Sequence, residues 1–165
     1  APQLASKSLG YQSQVASPAD KAKWVQVDFG KSVPIDQVYL VPAQYPSVPG
    51  FGFPSRFRVD LSNDSLFVSR HTIADHSEEP IPNLGSAPFA IKNIGLAGRY
   101  LRVTAFPSPD KESGYWFFAL AELLAFSGEK NMTADAKVTA QDSVENPPQW
   151  SKATLIRRVC LLQDR

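Results

Sequence analysis

A single cysteine in 165 residues leaves no internal disulfide framework and no four-thiolate zinc site. Two histidines are too few for a histidine-rich metal centre. No apolar run approaches the ~18 to 20 residues that cross a bilayer as a helix. The opening Ala1-Pro2-Gln3 has neither the basic nor the apolar region of a secretory leader, and without a starting Met it fits a piece of a longer chain. Charge is short in both signs: 17 Lys and Arg stand against 16 Asp and Glu, so no basic field invites nucleic acid. Catalytic signatures are missing too. The chain holds no Gly-x-Ser-x-Gly elbow, no phosphate-cradling glycine loop and no His-Glu-x-x-His helix. His71 and His76 lie near Asp75, Glu78 and Glu79, but an odd offset sends two strand residues to opposite faces. Cys160 has no evident base partner. An enzyme is not expected.

What is present is hydrophobic content of 43%, enough for a real core, cut by 14 prolines into short stretches. Residues 56–62 alternate strictly: Phe57, Val59 and Leu61 face one way, while Arg56, Arg58, Asp60 and Ser62 face the other. Residues 24–29 repeat the device with Val25, Val27 and Phe29 inward, and residues 31–34 after Gly30 read as a turn. Residues 35–41, 66–74, 88–91 and 99–105 supply further strands. Short strands between Pro- and Gly-rich connections argue for an antiparallel all-β sandwich. Residues 117–126, FFALAELLAF, fit a helix as well as a strand on local pattern.

Three long loops interrupt the strands, at 42–54, 75–87 and 107–116. The first holds four prolines, two glycines and Tyr45, Phe51 and Phe53. The third is a polar run that ends on Tyr115-Trp116. Loops this long are more often functional than accidental. After Gly128 the character changes. Residues 129–165 read as a linker and the truncated start of a second module, neighbouring domains of one parent chain.

Four stretches in register carry a resemblance: WVQVDFG at 24–30, FRVDLSND at 57–64, GRYLRVT at 98–104 and AELLAFSG at 121–128. Their order resembles that of discoidin domains, also called coagulation-factor type C domains, of the galactose-binding-like superfamily. The resemblance spans residues 20–128 and implies a jelly-roll sandwich of ~8 strands over residues 1–128, with 117–126 as the last strand and Trp24 in the core. It also implies that residues 131–140 open another such module. Many members hold a structural calcium ion beside an Asp-Gly segment that this chain lacks, so only Glu122, with Asp20, is left as a candidate calcium ligand. No other cofactor is expected.

Binding, not catalysis, is what the residues suggest. Sugars are held by aromatic faces against the ring and by polar groups on the hydroxyls. Loops 42–54 and 107–116 offer Tyr45, Phe51, Phe53, Tyr115 and Trp116, with Arg56, Asp110 and Glu112 near them. These eight residues are the candidate site, Tyr45 being the aromatic expected to stand exposed. Phe51 and Phe53 read equally as a plug over the end of the sandwich, and Trp116 as core. Arg99 and Arg102 read as structural. Loop 42–54 carries no lysine, which speaks against membrane insertion. The expected function is a carbohydrate- or glycan-binding module of a larger secreted, surface or periplasmic protein; the alternative is a structural or protein-interaction spacer.

Overall fold

A computed structural model describes residues 8–45, 48–109 and 114–156. In chain order the strands are β1 (Tyr11–Gln12), β2 (Lys23–Ile35), β3 (Gln37–Val41), β4 (Ala43–Gln44), β5 (Pro49–Phe51), β6 (Arg56–Ser62), β7 (His71–Asp75), β8 (Phe89–Ile91), β9 (Leu96–Phe106), β10 (Ala119–Leu120), β11 (Glu122–Ser127), β12 (Lys130–Asn131) and β13 (Lys137–Ala140), followed by a 3-10 helix at Lys152–Ile156. Two antiparallel sheets face each other, one ordered β13-β2-β9-β6-β7 and the other β12-β11-β3-β8. Small ribbons β1-β10 and β4-β5 complete this jelly-roll sandwich. Among the described residues no helix is long and apolar enough to cross a membrane.

Alternation builds the core. Val25, Val27, Phe57, Val59, Leu61, Leu101 and Val103 of the larger sheet are buried with Val38, Leu40, Leu123 and Ala125 of the smaller one. The outer face of the larger sheet is a polar lattice. Arg99 grips the Asp28 carboxylate through Nε at 2.9 Å and Nη2 at 3.1 Å. Arg102 donates to Gln26 Oε1 and lies 4.3 Å from the ring centroids of both Trp24 and Phe67. Asp60, 1% exposed, accepts from Arg58 Nε at 2.9 Å and Thr72 Oγ1 at 2.6 Å.

Several local expectations give way to tertiary context. Residues 31–34 are no turn: β2 continues through them, absorbing the irregularity as a register shift between Asp28 and Val33. The 35–41 run breaks at Asp36, where the chain crosses between sheets; the Asp36 carboxylate accepts from Gly128 N at 2.6 Å. Residues 66–70 are not strand. Asp64 accepts from the Leu66 and Val68 amides, each at 3.0 Å, closing a turn in which Phe67 sits at φ 56°. Trp24 is not core; alternation puts it on the outer face with Gln26 and Asp28, under Arg102. Of the two readings of residues 117–126 the strand holds from Ala119 onward, as β10 and β11 with Ala121 between them, while Phe117 and Phe118 precede the strands.

The C-terminal stretch carries the largest difference. Through Ile156, residues expected as a linker and second module join this sandwich. β13 pairs with β2 from Lys137↔Asp28 to Ala140↔Val25, using an edge that would otherwise stay open. Lys23, almost fully buried, ion-pairs with Asp142, and the Tyr11 hydroxyl donates to the Asp142 carbonyl at 2.9 Å. Burial pushes the Tyr11 phenol up, with the Asp142 charge adding to it. Trp150 packs with Ala43 and Ala119, and Leu155 is in the main core.

Candidate functional site

The first pair of the β6-β9 ladder, Arg56↔Phe106, marks one end of the sandwich. The described parts of loops 42–54, 75–87 and 107–116 meet there, held by short-range bonds. Gly52 lies against β10: the Ala119 amide donates to its carbonyl at 2.8 Å, and a Cβ on Gly52 would stand 2.8 Å from Ala119 Cβ and 3.0 Å from the Phe117 ring. With φ at +70° as well, no other residue sits there easily. Phe53 then turns edge-on to buried Phe57, centroids 5.7 Å apart. Arg56 Nε donates to the Ser77 carbonyl at 2.7 Å and Nη1 to the Pro107 carbonyl at 3.1 Å, joining the second loop to the third. Trp116 is held by paired backbone bonds to Ala16, at 2.6 Å and 3.2 Å.

Between these loops lies a pocket of about 330 Å³, lined among others by Phe53, Ser55, Phe106, Tyr115, Trp116 and Phe118. Its described wall is mostly aromatic and has no charged side chain. Tyr115 is 71% exposed, whereas Trp116 is 7% exposed. Trp116 Nε1 and Ser55 Oγ are shielded from solvent and have no hydrogen-bond partner. Native interiors leave few such atoms, and each costs about 1–3 kcal/mol when unsatisfied. A mostly aromatic wall is suited to a ligand with an apolar face.

The eight residues proposed from sequence divide into four groups. Phe53, Tyr115 and Trp116 meet at the pocket. Arg56 stands beside it and positions two of its loops. Tyr45 and Phe51 belong instead to an adjoining cluster, where Tyr45 lies edge-on to Phe51 at 5.4 Å and to Trp150 at 5.9 Å. Tyr45 is therefore half-buried, and Tyr115 is the exposed aromatic. Asp110 and Glu112 fall outside the described residues. Sequence reasoning missed Ser55, Phe106 and Phe118. The cue for Phe106 was the strand pattern of 99–105, whose extension by one residue reaches the pocket mouth.

The residues considered for calcium do not assemble a donor set. Asp20 Oδ2 accepts from the Ser17 amide at 2.9 Å and the Ser17 hydroxyl at 3.2 Å, closing its own turn. Glu122 starts β11 opposite Val41. Among the described residues no three His, Cys, Asp or Glu side chains gather as metal ligands, against the 6–8 oxygens calcium takes.

No protein-family model matches the sequence, and no curated protein matches it. Solved structures do share its architecture. A chitosan-binding module from a chitosanase/glucanase of Paenibacillus sp. IK-5 superposes with a TM-score of 0.50 at 17% identity, over 70% of this chain and 76% of that one. A family 32 carbohydrate-binding module of Clostridium perfringens, in complex with GalNAc-β-1,3-galactose, gives 0.50 at 15% identity, over 67% and 70%. Another, from a family 31 glycoside hydrolase of Clostridium perfringens, gives 0.50 at 18% identity, over 77% and 87%. The chain has the jelly-roll β-sandwich fold of these modules.

Proposed function

We propose that this chain is a non-catalytic carbohydrate-binding module of a larger secreted or cell-surface protein, taking a sugar residue in the pocket at the end of the sandwich. The observation that carries the reading is the pocket's anatomy: exposed Tyr115 beside a mostly aromatic wall of Phe53, Phe106, Trp116 and Phe118 at the loop end of the sandwich. The C–H face of a sugar ring stacks on an aromatic side chain, while its hydroxyls bond polar groups or water on the open side. At about 330 Å³ the pocket is at the small end of the ~300–1,000 Å³ range of ligand sites, room for one ring at the end of a glycan, not a long chain. Arg56 contributes indirectly, holding the Ser77 and Pro107 carbonyls so that the loops keep their spacing. The fold shared with modules crystallised on GalNAc-β-1,3-galactose or named for chitosan binding supports the ligand class.

A glycan array probed with the wild-type chain and with Tyr115→Ala tests this. Tyr115 is too exposed to support the fold, so the variant should stay folded and lose the array signal. A folded wild-type chain with no glycan signal would sink the proposal and return the chain to the spacer reading.

A further inference from the structure

Trp116, Phe117 and Phe118, three residues of the pocket wall, lie in neither main sheet. Gly52 meets this stretch on one side, through its bond to Ala119. Residues 11–16 hold it on the other. Tyr11 and Gln12 pair with Leu120 and Ala119, and Ala16 exchanges two backbone bonds with Trp116. Ser13 stands between these pairs and is 0% exposed. Its amide donates to the Phe118 carbonyl at 2.8 Å, and its Oγ accepts from the Phe118 amide at 3.0 Å. The Ser13 hydroxyl itself donates to the Gln14 carbonyl at 2.9 Å, which leaves its lone pairs for Phe118. A side-chain oxygen thus takes the place that a backbone carbonyl takes in a ladder, and an alanine there leaves the buried Phe118 amide unmet.

Residues 9–16 are covered in turn by residues 142–151. The Gln14 amide donates to Asp142 Oδ1 at 2.8 Å, the Val144 amide to the Gln12 carbonyl at 2.8 Å and the Tyr11 hydroxyl to the Asp142 carbonyl at 2.9 Å. Further along, the Leu9 amide donates to the Gln149 carbonyl at 2.7 Å and the Ser151 amide to the Gly10 carbonyl at 3.0 Å. The other carboxylate oxygen of Asp142 pairs with buried Lys23. The order is C-terminal strap, N-terminal segment, pocket wall, and the middle layer is bonded to both neighbours. Resting on the carbohydrate reading above, we propose that Ser13 is a positioning residue for the sugar pocket, and that the strap of residues 142–151, clasped by Asp142, seats it. Ordering the wall and ordering the strap are then one equilibrium. A sugar that binds the seated wall tightens the strap, and a loosened strap weakens the sugar by the same factor.

The test compares Ser13→Ala and Asp142→Ala with Leu61→Ala, a core truncation toward the end of β6 away from the pocket. Calorimetric titration uses galactose, N-acetylglucosamine and the glycan strongest on the array. At a temperature where every variant is folded, Ser13→Ala and Asp142→Ala should each weaken binding about 5-fold or more. Leu61→Ala, with an equal or larger fall in Tm, should bind as the wild type does. In the sugar-free proteins the Trp116 indole N–H resonance should move in the first two variants and stay in place in Leu61→Ala. In the wild type, hydrogen exchange of the Gln14 and Val144 amides, which join segment to strap, should slow several-fold on saturation with sugar. If Ser13→Ala does not fold, Asp142→Ala and these exchange rates decide. Undiminished binding in the folded variants, or losses in all three that follow Tm alone, overturns the positioning role. Exchange rates unchanged on saturation overturn the coupling. If no sugar binds the wild type, the carbohydrate reading falls, and the Trp116 resonance of the sugar-free variants still decides whether Ser13 and Asp142 set the wall.

Discussion

Leu155→Ala separates two descriptions of the C-terminal stretch. On the 3-10 helix after β13, Leu155 is 0% exposed and packs in the same core as Tyr11, Leu40 and Leu123. Truncating a leucine at such a site removes its transfer free energy and leaves a cavity, together about 2–5 kcal/mol. A mid-range loss of about 3 kcal/mol in a domain of this size lowers Tm by roughly 6–12 °C. The same change at Leu66, 75% exposed on the 63–69 turn, is the control and should stay within about 0.5 kcal/mol, under roughly 2 °C. Differential scanning calorimetry of the three proteins, with urea titration for the free energies, makes the comparison. If Leu155→Ala melts with the wild type, residues 141–156 do not belong to this core, and the reasoning from β13 onward is wrong.

Other perturbations follow from the same structure. Asp60→Ala leaves Arg58 and Thr72 without their buried partner; since Arg58 is partly exposed, about 2 kcal/mol should be lost, less than the ~3–5 of a fully buried pair, as read by urea unfolding. Gly52→Ala forces a Cβ against Ala119 and Phe117 at a positive φ, so it should lower Tm by several degrees and weaken sugar binding, whereas Gly128→Ala, with open space around its Cβ, should leave binding intact. Acid should destabilise the fold. The Arg99 guanidinium holds Asp28 below the usual carboxylate range, backbone amides of Leu66 and Val68 do so for Asp64, and the Ser77 hydroxyl and amide for Asp75. A group whose folded pKa is depressed stabilises the fold above its unfolded value of about 3.9, and that contribution is lost as pH falls through the folded pKa. Tm should therefore hold between pH 7 and 5 and drop below about 4; a rise on acidification would contradict these assignments.

Much of this architecture is written in local alternation. Val25 and Val27, Phe57 to Leu61, and Leu101 and Val103 announce their inward faces, and they form the larger sheet. The same alternation, applied one residue earlier, places Trp24 outside with Gln26; the expectation of a core tryptophan came from the resemblance and not from the pattern. Residues 137–156 were illegible because their partners are remote in sequence: β13 finds β2, and Trp150 finds Phe51, over separations no local pattern encodes. The pocket was half legible. Its loops and three of its aromatics carry a composition signal, but which tyrosine is exposed depends on what packs against it, and only the fold puts Trp150 beside Tyr45. Ser55, Phe106 and Phe118 sit at strand ends, where nothing in residue type separates a pocket wall from ordinary core.

The central claim is that a sugar seats against Trp116 at the loop end of the sandwich. The chain has three tryptophans, and the fold puts them in three places: Trp24 on the outer sheet face, Trp116 in the pocket wall and Trp150 in the side cluster. Their indole N–H resonances, followed during titration with the best array glycan, report on all three places at once. The pocket account expects the Trp116 signal to move and saturate with the binding isotherm while Trp24 stays still. Binding that moves Trp24 and leaves Trp116 untouched would put the sugar elsewhere on the molecule and contradict it.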